Sequence, residues 1–310
     1  MTEIKNINDR KDMYACFDVG GTAIKYGLAD AGGRFADKGQ TDTQAQLVKG
    51  AGIVEKVCAA VRRYIDEGCA VKGVAISTAG IVDFAKGSIV YAFPQVLPGY
   101  TGTMWKQLIE DRFQLACAVE NDVNCAALGE LWLGAGRGRG SLFAITVGTS
   151  IGGCAVEGGR IIHGAGMSAG EIACMRVPGG TLQELATATR LVHDTAAAKG
   201  MKEGMLNGKQ VFEWAKQGDA DAERAAASLV EHLSDGIVNI IAVLNPECVI
   251  LGGGIMAQSE YLKPRIEAVL DQKLPLKMRE HTQIAFAELG NDAGMLGALY
   301  NLLHEGKADS

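Results

Sequence analysis

A chain of 310 residues, 48% of them hydrophobic, can bury substantial cores and exceeds the usual size of one domain, so two domains are expected. With 36 acidic against 30 basic residues and no Lys/Arg block longer than two, it lacks the positive stripe a nucleic-acid binder uses to displace counterions, so no nucleic-acid partner is expected. The polar opening "MTEIKNINDRKDMY" argues against a secretory signal and no later stretch reads as an unbroken apolar membrane span, which points to a cytoplasmic protein with no membrane partner.

From Asp12 the pattern is strand, glycine turn, strand, "DAGG" turn, strand, in which "YACFDV" and "AIKYGLA" carry the aromatic and β-branched content of strands. A β-meander opens the fold. In its first turn, "DVGGT", Gly20 and Gly21 would let the backbone take positive φ and aim N–H groups at an anion with no Cβ in the way. Thr22 adds a hydroxyl and Lys25 a charge. Asp18 suits a phosphate site only with a magnesium ion in between, directly or through water. Alone, a glycine pair in a hairpin is more often just a turn.

A helix is expected near Gln46 to Glu67, then a strand "VKGVAIST", a helix near Met104 to Phe113, and a short strand "ACAVE" that runs into another helix. Asn121 and Asp122 lie at that last junction, where either could cap the helix by accepting N–H bonds. The functional alternative gives Asp122 the proton of an attacking hydroxyl and lets Asn121 hold a neighbouring hydroxyl. "GAGRGRG" follows a helix and precedes a strand, the reverse of a dinucleotide fingerprint, and reads as a loop.

The second half repeats the plan: "SLFAITVGTSIGGCAVEGGRIIHG" is again strand, glycine-rich turn, strand, "EGGR" turn, strand. Its first turn offers Gly148, Thr149 and Gly152 to a second phosphate contact. "GAGMSAGEIACM" ends a glycine loop on Glu171, either a solvated acid or an acceptor for a polyol. Helices are expected near Leu182 to Lys199, Asp221 to Leu244 and Lys263 to Gln272, the second of them as core or as interface. A strand "ECVILGG" precedes the last of these helices and "TQIAFAEL" follows it. The cluster Gly252 to Gly254 reads as a tight strand-to-helix connection or as a place where backbone approaches a ring or ribose. Each half thus calls for a mixed sheet covered by helices, and two such halves across a cleft can clamp a nucleotide. Eight cysteines without C-x-x-C spacing read as small buried hydrophobes, and the five histidines show no metal-ligand spacing.

"FDVGGTAIKYGLAD", "STAGIVDFAKG", "VENDVNCAALGELWLGAGRG", "VGTSIGGCAVEGGRIIHGAGMSAGE" and "VILGGGI" stand in the order found in the ROK family of sugar kinases and repressors, and the chain resembles that family from Tyr14 onward. The resemblance implies an α/β, actin-like, hexokinase-type (ribonuclease H-like) duplicated fold, with ATP and magnesium as cofactors. It further implies transfer of the γ-phosphate to a hexose or hexoside hydroxyl, usually the 6-OH, by a homodimer acting on a small-molecule sugar. By position, Asp122 resembles the general base; Asn121, Glu171 and Gly80 resemble sugar-site residues. Asp18, Gly20, Gly21 and Thr22 resemble the first phosphate loop, Gly148 and Thr149 the second, and Gly253 and Gly254 the adenosine-contacting turn.

Two departures stand out. Where the family continues "GE-I-G-H" into a zinc-holding cysteine cluster, this chain reads "GEIACMRVPGGTLQELATA". Cys174 takes the histidine's place and Gln183 that of the final glutamate, so no zinc site is expected. Those missing residues would touch the C1 and C2 end of the sugar, which makes Gln183 a candidate sugar-binding residue, and the sequence is similar to the zinc-less branch that includes β-glucoside kinases. Lobes are expected at 1–118, with a C-terminal helix 291–310 packing back on it, and at 119–290. The rival reading is a sugar-responsive regulatory or binding protein without turnover, but the segment before Asp18 shows no basic helical pair.

Overall fold

The computed structural model describes residues 12–202 and 204–304; the N-terminal tail before residue 12 and the end of the expected C-terminal helix (305–310) lie outside the described residues. The described chain divides into two compact units, one of residues 12–132, 165–167 and 291–304, the other of 133–164 and 168–290.

In the first unit the meander is β1 (Met13–Val19), β2 (Ala23–Asp30) and β3 (Phe35–Asp42). There follow α1 (Ala45–Asp66), β4 (Val71–Thr78), a small hairpin β5 (Ile81–Asp83) and β6 (Ser88–Tyr91), α2 (Trp105–Phe113), β7 (Ala116–Asn121) and α3 (Asp122–Leu133). The C-terminal helix Ala293–His304 completes the unit. The sheet order is β3-β2-β1-β4-β7, antiparallel from β3 to β1 and parallel from β1 to β7. Strand alternation divides β1 between two layers. Ala15, Phe17 and Val19 pack with Ile53, Val57 and Val61 of α1, whereas Cys16 faces Met295, Ala298 and Leu299 of the C-terminal helix. Asp18 therefore shares the face of Cys16. That helix crosses α3 backbone against backbone, because a Cβ on Gly297 would sit 1.6 Å from the Cys125 carbonyl oxygen and one on Gly129 2.5 Å from that of Ala293. The hairpin β5–β6 was not expected from the sequence. Near its start α1 is kinked at Lys49 (φ 54°), where Gly50 lets the Gly99 carbonyl come within 2.1 Å of its would-be Cβ.

The second unit holds β8 (Ser141–Val147), β9 (Ile151–Glu157), β10 (Arg160–Ile161), a two-stranded ribbon β11 (Arg176–Val177) and β12 (Gly180–Thr181), α4 (Leu182–Leu185), α5 (Ala188–Ala198), α6 (Gly208–Lys216) and α7 (Ala220–Leu244). It ends with β13 (Cys248–Gly252), α8 (Ser259–Lys273), α9 (Leu276–Arg279) and β14 (Gln283–Phe286). Its sheet order, β10-β9-β8-β13-β14, repeats the first, antiparallel and then parallel. The helix expected over 182–199 is two helices. Thr187 starts the second by accepting from Arg190 N–H at 3.2 Å, while Ala188 N–H turns away to the Gly148 carbonyl at 2.9 Å. Asn207 and Gln210 form a capping box that opens α6, another element the sequence reading missed.

Among the described residues α7 is the one helix long and apolar enough to cross a membrane by length and composition, although Glu231 and Asp235 interrupt its apolar run. Its Leu229, Leu233, Ile237 and Ile241 lie in the core of the second unit, which settles that face as core. Six cysteines are buried and Cys69 partly so, but Cys174 is exposed.

Candidate active site

Register across the first sheet lines up Lys25, Asp18, Ser77 and Glu120 on neighbouring strands. The row lies at the carboxyl ends of parallel β1, β4 and β7, where open α/β sheets bind ligands. Asp18 is held from both sides: Lys25 Nζ lies 3.2 Å from its Oδ2, and Ser77 Oγ donates to its Oδ1 at 2.9 Å. The first turn of the C-terminal helix closes over it, since a Cβ on Gly294 would be 3.2 Å from Asp18 Oδ1. Beneath lies Cys125, fully buried; burial, then the charge of Glu120, pushes its thiol well above the ordinary value, which keeps it from being a nucleophile.

The turn after Asp18 is closed by Gly20 N–H donating to the Ala23 carbonyl at 3.0 Å. Neither Gly20 nor Gly21 has positive φ, contrary to the expectation. Space, not backbone freedom, requires Gly21, because a Cβ there would lie 2.5 Å from Val96 Cγ1. The turn takes its shape from Thr43, a buried residue the sequence reading passed over. Its hydroxyl donates to the Gly20 carbonyl at 2.6 Å and its N–H to the Thr22 carbonyl at 2.8 Å. Thr22 itself is exposed. With both Asp18 oxygens engaged, the donors here suit a magnesium ion held mainly by nucleotide phosphates and reached through water. Among the described residues no group of three or more His, Cys, Asp or Glu could hold a metal by itself.

At the end of β7 the two candidate caps divide. Asn121 Oδ1 accepts from the N–H groups of Val123 (2.9 Å) and Asn124 (3.1 Å), and its Nδ2 donates to the Gly80 carbonyl at 2.9 Å. Asn121 is the cap. Asp122, half-buried, opens α3 with Val123 N–H donating to its Oδ1 at 2.9 Å. The junction is braced by Glu120, nearly fully buried, whose Oε1 accepts from Asn121 N–H at 2.7 Å and Asn124 Nδ2 at 3.0 Å. Gly80 takes φ 113°, and a Cβ on it would sit 2.6 Å from the Tyr91 carbonyl oxygen. Only glycine permits that approach.

In the second unit the equivalent turn is one residue shorter: Val147 pairs with Ile151, whereas Val19 pairs with Ile24. Gly148 N–H donates to the Ser150 carbonyl at 2.9 Å, Thr149 is exposed, and Gly152 already belongs to β9, opposite Thr146. Gln183 clasps this turn. Its Oε1 accepts from Ser150 Oγ (2.8 Å) and Ile151 N–H (3.1 Å), and its Nε2 donates to the Thr149 carbonyl at 3.3 Å. Gly253, at φ 101°, runs the end of β13 along the base of the turn, its would-be Cβ 2.3 Å from the Val147 carbonyl oxygen, while Gly254 faces open space. Glu171 is exposed on a loop pressed against β9, where a Cβ on Gly170 would meet the Gly153 carbonyl oxygen at 2.4 Å.

A model of the ROK family matches residues 14–305. The chain belongs to the ROK family. It is 30% identical to a glucokinase of Halalkalibacterium halodurans, with 92% of this chain and 93% of that protein aligned. It is 29% identical to a β-glucoside kinase of Listeria monocytogenes, covering 94% and 97% of the two chains. The crystal structure of a ROK glucokinase from Streptomyces griseus in complex with glucose and AMPPNP superposes with a TM-score of 0.75 at 29% identity, covering 93% of this chain and 98% of that one. The duplicated mixed sheets are thus the actin-like, hexokinase-type ROK fold. Within it the first unit gathers Asp18, Gly20, Gly21, Thr22, Lys25, Gly80, Asn121 and Asp122, and the second gathers Gly148, Thr149, Gly152, Glu171, Gln183, Gly253 and Gly254.

Proposed function

We propose that this ROK protein is an ATP-dependent kinase that phosphorylates a hydroxyl, the 6-OH, of a hexose or hexoside. The observation that carries the reading is the division at the start of α3. Asn121 supplies the helix cap, so a second side chain, the Asp122 carboxylate, stands beside it at the carboxyl end of the sheet in the role of base. In that role Asp122 takes the proton of the attacking sugar hydroxyl as the oxygen–phosphorus bond forms and the bond to the β-phosphate oxygen breaks, leaving ADP. Asn121, through its remaining amide N–H, Gly80 and Glu171 orient the sugar. Lys25, Thr22 and the Gly20–Gly21 turn hold phosphate in the first unit, Gly148, Thr149 and Gly152 hold it in the second, and Gly253 and Gly254 take the adenosine. A magnesium ion near Asp18 would supply neutralisation of phosphate charge.

The reading is tested by magnesium–ATP turnover across glucose, mannose, N-acetylmannosamine, fructose and cellobiose. ADP release stimulated by at least one sugar is expected. ATP hydrolysis that no sugar stimulates would contradict it.

A further inference from the structure

A turn that contains two glycines is soft when left to itself, because each glycine opens backbone conformations closed to other residues. The turn at residues 20–22 is held from outside by Thr43, which lies 23 residues beyond Gly20, just past the end of β3, and is 0% exposed. Thr43 takes a carbonyl at each end of the turn, that of Gly20 through its hydroxyl at 2.6 Å and that of Thr22 through its N–H at 2.8 Å. A trans peptide points its N–H opposite to its carbonyl, so drawing the Gly20 carbonyl toward Thr43 aims the Gly21 N–H to the other side of the turn. An anion in such a turn is held by backbone N–H groups, and its affinity depends on where they point.

Thr43 is itself anchored to α1. Lys56 Nζ, from the third turn of that helix, donates to the carbonyls of Asp42 (2.7 Å) and Thr43 (3.1 Å) and to Gln44 Oε1 (2.9 Å). Gln44 then turns the chain into α1 at φ 53°, a conformation few residues other than glycine adopt, and its carbonyl accepts from the N–H groups of Leu47 and Val48. Beyond it, Ile53, Val57 and Val61 fix α1 in the core of the unit. We infer that Thr43 is a positioning residue for nucleotide phosphate: too deeply buried to touch a ligand, it carries the rigidity of α1 into the turn and keeps the Gly21 N–H aimed at the phosphate. A turn already held in its binding shape spares the nucleotide the cost of ordering it. This inference rests on reading the turn as the first phosphate loop.

The test compares the parent with Thr43→Val, which has nearly the same shape and keeps the N–H bond to Thr22 but loses the hydroxyl, and with Thr43→Ser, which restores it. Calorimetric titration of magnesium–AMPPNP reads nucleotide affinity without turnover, and KM for the sugar is measured beside it. Thr43→Val should bind the nucleotide about tenfold more weakly with KM for the sugar within about twofold, and Thr43→Ser should stay within about twofold of the parent in both. A folded valine variant that binds the nucleotide as the parent does, equal losses for nucleotide and sugar, a serine variant as weak as valine, or a parent that binds no nucleotide would overturn the inference. Should Thr43→Val not fold, Lys56→Met carries the test, because it releases the Thr43 carbonyl from a half-buried position: nucleotide affinity at least threefold weaker with the sugar unaffected is expected, and unchanged nucleotide affinity would overturn the inference. Sugar-dependent ADP release by the parent separates the two readings. Weakened nucleotide binding in the valine variant without sugar-stimulated turnover in the parent keeps the role of Thr43 and removes the kinase, and turnover with unchanged nucleotide affinity does the reverse.

Discussion

Replacing Asn121 by alanine removes both acceptor bonds of the α3 cap and the donor bond to Gly80 in one step. A lost cap costs about 1–2 kcal/mol, and a partly buried Gly80 carbonyl left without its partner adds about 1 kcal/mol, so the total is about 2–3 kcal/mol. Asn121→Ser keeps an acceptor at the cap and loses only the bond to Gly80, so it should cost about half as much. Urea unfolding followed by tryptophan fluorescence, to which the buried Trp105 contributes, measures both. The expected order of stability is parent, Asn121→Ser, Asn121→Ala. An alanine variant within about 0.5 kcal/mol of the parent, or a serine variant as damaged as alanine, would refute the assignment of Asn121 as cap.

Gly297→Ala drives a methyl into the Cys125 carbonyl and should destabilise the first unit by about 3 kcal/mol or more, seen as a lower urea midpoint. Gln183→Ala frees the Thr149–Ile151 turn and should raise KM for ATP by about tenfold with KM for sugar little changed; the opposite split would make Gln183 a sugar ligand. Lys199, at 2.5 Å, and then the Ala222 N–H hold the Asp219 carboxyl below its ordinary value of 3.8. A depressed carboxyl contributes stability above that value and loses it as pH falls through the folded pKa. Asp219→Asn keeps the α7 cap without the charge, so the parent should be the more stable at neutral pH and the difference should close well below pH 3.8.

The duplicated meander was legible because its signals are local: apolar alternation, glycine turns, and the same order of elements twice. Helix and strand ends followed from caps and periodicity, but the break at Ala186–Thr187 depends on Gly148, far away in sequence, and so could not be read there. The hairpin β5–β6 was hidden because "IVD" and "SIVY" are short and lean on Tyr91 and Gly80 rather than on a long alternating run. In the candidate site, Asp18, Asn121 and Asp122 stood out by residue type at strand ends. Ser77 joins Asp18 only through cross-strand register, although the polar pair closing the apolar strand "VAIST" was a usable sign. Thr43 and the clasp formed by Gln183 hold turns that lie many residues away, and nothing local marks either. The glycines at the first turn were singled out for positive φ, but it is contact with Val96 that excludes a side chain at Gly21.

The account turns on Asp122 as the base, and the most direct measurement is sugar-dependent ADP release by Asp122→Asn beside the parent, with sugar and nucleotide affinities measured in parallel. The amide keeps size and an acceptor for Val123 N–H, so binding should persist while kcat falls by a factor on the order of a hundred to ten thousand. A variant that binds both ligands and turns over within about threefold of the parent would contradict the assignment of Asp122.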